Sequence, residues 1–225
     1  MLLLAADTSG KHGSIALAKG NADGSCEILE IVPLAGGTFS AQLVPQIAAL
    51  LSKHGFHKQD VGAFAVASGP GSFTGLRVGL AAIKAMAEVM GKPITAVSRL
   101  EAVARNANCA GKVIAALDAG RGEIYVGQYD VNHSKNFGER LLTREEFVTE
   151  AAGWSVVTPD EAIVDTARAA GLKFQQVEPP RADSIARIGW RKILARDTVS
   201  PENLEANYVR RSDAEIFSKL PGSSA

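Results

Sequence analysis

The chain has 225 residues, with 24 Lys or Arg balanced by 24 Asp or Glu and with 46% apolar side chains. That length holds one large domain or two small ones with ample core, and the balanced charge gives the whole chain no drive toward nucleic acid or anionic membrane, a local basic patch aside. Cys26 and Cys109 make neither a metal spacing nor a disulfide framework, as expected of reduced thiols in a cytoplasm, and no apolar stretch is long enough for a membrane span or a signal peptide.

Residues 2–6 are continuously apolar and read as a buried strand ending at Asp7. Gly10 and Gly13 mark a turn, 14–18 a return strand, 21–24 a second turn and 26–32 a third strand. A helix follows over 40–51, striped by Leu43, Ile47, Leu50 and Leu51, with Pro45 in its first turns and no charge before Lys53. The apolar run 61–67 is another buried strand. It leads into Ser68-Gly69-Pro70-Gly71-Ser72-Phe73-Thr74-Gly75-Leu76-Arg77, a glycine-proline turn that opens a helix over 74–90. Such turns let backbone approach a ligand or another segment closely, and helix N-termini attract anions. The string lacks the lysine of a P-loop, and Gly75 falls one place late for a dinucleotide fingerprint.

Between Thr74 and Met90 the only charges are Arg77, Lys84 and Glu88. Leu76, Leu80, Ile83, Ala87 and Met90 make one apolar stripe; Gly75, Gly79, Ala82 and Met86 make a second of mostly small residues. A surface helix needs one apolar face, so two imply full burial or a face kept for a partner. The 40–51 helix is equally poor in charge, which favours the partner reading for the pair.

Pro93 opens a short strand over 94–97, and Ser98 is placed to cap a helix over 100–105 with Glu101 at N3. From Lys112 the opening pattern returns: a strand over 113–117 ending at Asp118, a turn at Gly120 and Gly122, and a return strand over 124–129. The chain is expected to be two related α/β lobes, 1–108 and 109–225, each with a carboxylate closing its first strand. Ligands of open α/β sheets bind at the carboxyl ends of strands, which sets Asp7 and Asp118 near one cleft. Further on, helices are expected over 143–152 and 160–170, a strand at 156–157, and a break at Pro179-Pro180. Asp183 would cap a basic helix over 184–196 carrying Arg187, Arg191, Lys192 and Arg196; the tail holds Asn207-Tyr208-Val209-Arg210-Arg211 and a frayed end over 221–225.

In this order the segments resemble the bacterial TsaB family, also called YeaZ. The likeness rests on Asp7-Thr8-Ser9 with its hairpin, on Gly69 through Leu80, on Val97-Ser98-Arg99-Leu100-Glu101-Ala102, and on Asp118-Ala119-Gly120-Arg121-Gly122-Glu123-Ile124-Tyr125; the Gly-Pro-Gly-Ser-Phe-Thr-Gly-Leu-Arg run is its most specific part. Phe39 stands where members often have histidine, and Gly120 where they often have arginine. The resemblance implies an actin-like, Hsp70-like ATPase fold of two related lobes, each a mixed sheet flanked by helices. It implies a cytoplasmic role in making N6-threonylcarbamoyladenosine in tRNAs that read codons starting with adenine. The implied partners are a TsaD-like catalytic subunit, a small TsaE-like ATPase and a second copy of the chain, with tRNA met only inside the complex and no membrane. The pairing surface implied by the family uses the 40–51 and 74–90 helices, here Leu43, Ile47, Ser72, Phe73, Thr74, Leu76, Gly79, Leu80 and Ile83.

No catalytic residue is assigned. TsaD-type relatives hold a metal with paired histidines on a helix; His54 and His57 are separated by Gly55 in a loop, and His12 and His133 stand apart, so no metal site is expected. Asp7 is the candidate remnant of an actin-like phosphate and Mg²⁺ site, against the reading that it caps its own turn. Asp118 is similar, with Arg121 and Glu123 near enough for a local ion pair. No tightly bound cofactor is expected, while ATP with Mg²⁺ is admitted at the partner interface. The alternative of a different class is a working ATPase or small-molecule kinase, with Asp7 and Asp118 flanking Mg·ATP. Arg187, Arg191 and Lys192 are either a solvated face or a contact to tRNA phosphate.

Overall fold

A computed structural model describes residues 1–109, 111–132 and 135–209. His133, Arg210, Arg211 and the end over 221–225 lie outside the described residues.

The first sheet has five strands in the order β3-β2-β1-β4-β5, comprising β1 (Leu2–Asp7), β2 (Gly13–Gly20), β3 (Cys26–Leu34), β4 (Val61–Gly69) and β5 (Ile94–Ser98). β1 pairs antiparallel with β2 and parallel with β4, so it sits at the sheet centre, buried at every position. That burial is why its sequence is a continuous apolar run rather than an alternation. The second sheet, also of five strands, has the order β10-β9-β6-β7-β8, from β6 (Lys112–Gly120), β7 (Glu123–Asp130), β8 (Lys135–Thr143), β9 (Ser155–Thr158) and β10 (Phe174–Gln176). Its pairings repeat those of the first sheet, two antiparallel then two parallel. The helices repeat as well: α1 (Phe39–Lys53), α2 (Phe73–Met90) and α3 (Arg99–Arg105) occupy the same places in the first half as α4 (Arg144–Glu150), α5 (Glu161–Ala169) and α6 (Ala182–Leu194) in the second. The repeat read from two aspartates and two glycine turns is thus a duplicated β-β-β-α-β-α-β-α unit, the actin-like α/β architecture. A short 3₁₀ turn, Lys58–Asp60, precedes β4.

β8 and β10 have no counterpart among the expected strands. Both are edge strands, and β8 buries only Leu142, so neither shows an apolar run or a clean alternation. The boundary at 108/109 separates the sheets but not the helices. α3 follows the first sheet yet places Leu100, Val103 and Ala104 in a core with Val113, Leu117 and Tyr129 of the second. α6 follows the second sheet yet packs Ile185, Ala186 and Trp190 against Leu3, Ala5, Ala16 and Ala65 of the first. The backbone N–H of Ala182 donates to Ser14 Oγ at 2.9 Å, and Trp190 Nε1 to the Asn21 carbonyl at 2.9 Å, pinning α6 to the β2 side of the first sheet. The basic helix expected in the second lobe therefore belongs to the first.

Side-chain caps close three of the six α-helix N-termini among the described residues, those of α2, α3 and α4. Ser98 Oγ accepts from the N–H groups of Leu100 and Glu101, though Glu101 does not close the box; it faces Lys192 at 3.6 Å instead. Thr143 and Glu146 form a reciprocal capping box on α4. Asp183 lies inside the first turn of α6 rather than at its cap, which is Arg181.

Candidate functional site

The glycine-rich string works first as a packing device. Thr8 and Ser9, at the end of β1, lie flush against the start of α2. Ser72 N–H donates to the Ser9 carbonyl at 2.7 Å, and Thr8 Oγ1 donates to the Gly75 carbonyl at 2.7 Å. A Cβ at Gly71 would stand 2.3 Å from the Ser9 carbonyl oxygen, one at Gly75 2.1 Å from that of Thr8, and one at Gly79 2.3 Å from Thr8 Oγ1. Only glycine admits this approach. Ser72 caps α2 by accepting from Gly75 N–H at 3.3 Å.

The expected pairing residues divide sharply. Leu43, Ile47, Leu76, Leu80 and Ile83 belong to the first core beneath the sheet, and Gly79 is buried against Thr8. They cannot form a docking face, because the chain itself already covers them. Ser72, Phe73 and Thr74 are exposed. The outward stripe of α2 is instead Thr74, Arg77, Ala81, Ala85 and Val89, and that of α1 is Ala41, Val44, Pro45 and Ala48. Val44 is 52% exposed and Val89 84%. Arg77 and Glu88, both exposed, are the charges on this face of α2, and the α1 stripe carries none. The small-residue stripe read from the sequence was one step around the helix from the exposed one: Ala82 and Met86 are partly buried and packed on the core.

At the N-terminal end of α2 the segment 199–209 returns across the first lobe. Val199 bridges Ile94, Leu204 enters the first core, and Asn207 N–H donates to the Ser68 carbonyl at 2.7 Å. Asn207 Nδ2 reaches across to Glu139 Oε2 of β8 at 2.5 Å, tying the lobes. Tyr208 stacks on Phe73 with centroids 5.4 Å apart, and the Arg77 guanidinium lies 3.7 Å above the Phe73 ring. Nothing in the sequence marked Asn207 as a tie; its partner is 68 residues away.

Between the lobes lies a cavity of about 740 Å³, lined from the β1–β2 hairpin by Ser9, Gly10 and Lys11, from the β6–β7 hairpin by Asp118, Gly120 and Arg121, and by Arg99 at the head of α3. Asp118 thus faces the cleft as expected, but its Oδ1 accepts Gly120 N–H at 2.9 Å, and it forms no ion pair with Arg121. Asp7 is not in the lining. It is only 4% exposed, and its Oδ1 accepts the N–H and hydroxyl of Ser9 at 2.8 and 2.5 Å. Of the basic residues on α6, Arg187 donates to the Cys26 carbonyl at 3.1 Å, and Lys192 pairs with Glu101 and Asp197. His54 is bound to Glu30 at 2.8 Å.

The sequence model of TsaD, described as tRNA N6-adenosine threonylcarbamoyltransferase, matches residues 31–195. The chain is 31% identical to the tRNA threonylcarbamoyladenosine biosynthesis protein TsaB of Escherichia coli (strain K12), over 99% of each chain. It is 35% identical to TsaB of Bacillus subtilis (strain 168), over 96% of each. The chain belongs to the TsaB family. Two solved structures of Pseudomonas aeruginosa agree with that membership: a protein with similarity to peptidase YEAZ, 26% identical with a TM-score of 0.77 over 93% of this chain and 99% of that one, and YeaZ, 25% identical with a TM-score of 0.75 over 92% and 99%.

For a TsaB-family chain the actin-like fold raises the question of a metal-bound nucleotide between the lobes. The residues do not fit one. Asp7 is turned into its own loop, the carboxylate that lines the cleft caps its own turn, and no group of three or more His, Cys, Asp or Glu among the described residues could hold a metal ion. No helix among them is long and apolar enough to cross a membrane.

Proposed function

We propose that this chain is a non-catalytic activator of tRNA N6-threonylcarbamoyladenosine formation, acting in the cytoplasm by docking α1 and α2 to a TsaD-like transferase. The near full-length likeness to relatives named for that biosynthesis carries the reading. The mode of action is supported by the outward stripes of α1 and α2, which expose Val44, Ala48, Ala81, Ala85 and Val89 with Arg77 and Glu88 as their charges. Small apolar residues of this kind allow helices to approach closely, while the buried Leu43, Ile47, Leu76, Leu80 and Ile83 stiffen the pair from below. A TsaE-like ATPase binds the resulting pair, ATP with Mg²⁺ is admitted at that junction, and tRNA meets the chain within the assembly. A second copy of the chain is the other occupant suited to the same charge-poor face.

The test is threonylcarbamoylation of tRNA reconstituted from the other pathway proteins, with and without this chain. Modification that depends on its presence is the expected result. Full modification without it removes the activator role.

A further inference from the structure

The end of the second sheet opposite the interlobe cavity carries aromatic rings interleaved with cations. β6 runs from Lys112 to Gly120, and only the Asp118–Gly120 end of it reaches that cavity. At its other end the register sets Lys112 beside Asp130 of β7, and Asp130 beside Lys135 of β8. On the other side Val113 is level with Ser155 at the head of β9, and Phe174 of β10 is level with Val156. Three rings follow this line: Phe137 on β8, Trp154 just before β9, and Phe174 on β10. Phe137 and Trp154 meet edge to face with centroids 5.9 Å apart. Each ring has a cation over it. Lys135 Nζ lies 4.8 Å from the Phe137 centroid, Lys112 Nζ 5.8 Å from that of Trp154, and the Arg168 guanidinium carbon 5.5 Å from that of Phe174. Phe137 is 41% exposed and Phe174 38%.

Lys112, Lys135 and Lys173, the last preceding Phe174, are exposed and form no ion pair among the described residues. Acids on neighbouring segments are engaged: Asp130 accepts the Asn132 N–H at 3.1 Å, Glu150 receives Arg140, and Asp165 receives Arg168 at 2.6 Å. A chain with balanced total charge therefore gathers three unpaired ammonium groups beside three rings. From β10 to β8 is four strand steps, so the row is about 19 Å long at ~4.8 Å per step. Rings alone would suit a protein partner, and lysines alone a solvated edge. Their alternation matches a ligand that repeats anionic linkages and flat bases.

We propose that this sheet end is a contact for single-stranded RNA. The proposal rests on the reading that tRNA meets the chain within the assembly, and it assigns the surface that receives unpaired nucleotides. Bases stack on Phe137 and Phe174, with Trp154 as the ring between them, and the lysines neutralise phosphates. A base arriving on Phe137 displaces Lys135 from the ring face and frees its ammonium for the adjoining phosphate. Duplex RNA keeps its bases stacked inside the helix and offers no free faces to the rings.

Fluorescence anisotropy of a labelled oligouridylate titrated with the full chain at low salt tests the surface, beside a labelled RNA duplex and vesicles containing phosphatidylserine. Saturable binding that prefers the single strand is expected. Phe137→Ala and Phe174→Ala should each weaken it roughly fivefold or more, while Phe137→Tyr should retain it. Lys112→Gln, Lys135→Gln and Lys173→Gln should each flatten the slope of log K against log salt by about 0.7. These positions are exposed, so the variants are expected to fold. Four results overturn the proposal: no binding of the oligouridylate at millimolar concentration, binding unchanged by the ring variants, duplex bound as tightly as single strand, or vesicles bound where RNA is not. Modification that depends on the chain, together with no RNA binding, would remove this surface and leave the activator reading in place. RNA binding by a chain that modification does not need would do the reverse.

Discussion

Glu30 illustrates how single side chains fasten helix to sheet here. From the end of α1, Lys53 Nζ donates to its carboxylate at 2.7 Å and His54 Nε2 lies at 2.8 Å. These contacts, the lysine's first, hold the Glu30 carboxyl below the ordinary glutamate range. A carboxyl whose pKa is lower folded than unfolded stabilises the protein above the unfolded value, and that stabilisation is lost as pH falls through the folded value. Glu30→Gln is expected to lower the urea midpoint at about pH 7 and to converge with the parent protein toward about pH 3, below the unfolded glutamate value near 4.3. Denaturation curves across that window check it, and a gap that does not narrow in acid would assign the effect to packing. Buried groups are held differently. Tyr129 is 6% exposed and donates its hydroxyl to Glu139, and burial with the neighbouring carboxylate pushes its pKa well above the usual tyrosine value. Glu139 also receives Asn207, so one carboxylate joins the second sheet to the returning segment.

At the level of elements, α2 carries two kinds of small residue with opposite duties. Gly75 and Gly79 face inward and let the helix rest on Thr8; Ala81 and Ala85 face outward. Gly79→Leu is expected to destabilise the isolated chain by about 3 kcal/mol or more, because its Cβ would overlap Thr8 Oγ1. Ala85→Glu should change the stability of the isolated chain by no more than about 0.5 kcal/mol while weakening transferase docking at least tenfold, roughly. Thermal melts alongside pull-down affinity separate the two. Undisturbed docking by Ala85→Glu would move the interface off this face, and a stable Gly79→Leu chain would undo the packing account of the glycine string.

For the whole molecule, the decisive feature is the exchange of α3 and α6 between the sheets. Residues 1–108 contain all five strands of the first sheet but lack α6, which covers Leu3, Ala5, Ala16 and Ala65. That fragment is expected to bind a hydrophobic dye strongly and to unfold without a cooperative transition. Residues 1–209 should unfold in one step. A cooperative, dye-silent fragment 1–108 would show that the first lobe stands alone, contrary to the packing of α6.

Most of the architecture was legible because it follows from local chemistry. The apolar run 2–6 had to be a buried strand, the Gly120 and Gly122 turn had to be a hairpin, and the recurrence of strand, aspartate and glycine turn in both halves pointed to the duplication. The glycine string and its flanking motifs likewise marked the family. Sequence alone also made clear that α1 and α2 are poor in charge, yet it could not say which stripe faces out. Adjacent stripes on a helix differ by a rotation, and that rotation is fixed by contact with Thr8 and the sheet. The same holds for Asp7, whose choice between cleft and turn is decided by Ser9 at hydrogen-bond distance. The destination of α6, the tie from Asn207 to Glu139, and the convergence of Lys11, Arg99 and Arg121 join residues far apart in the chain. Such contacts leave no periodic trace, because they are made only when two sheets and two exchanged helices close on one another.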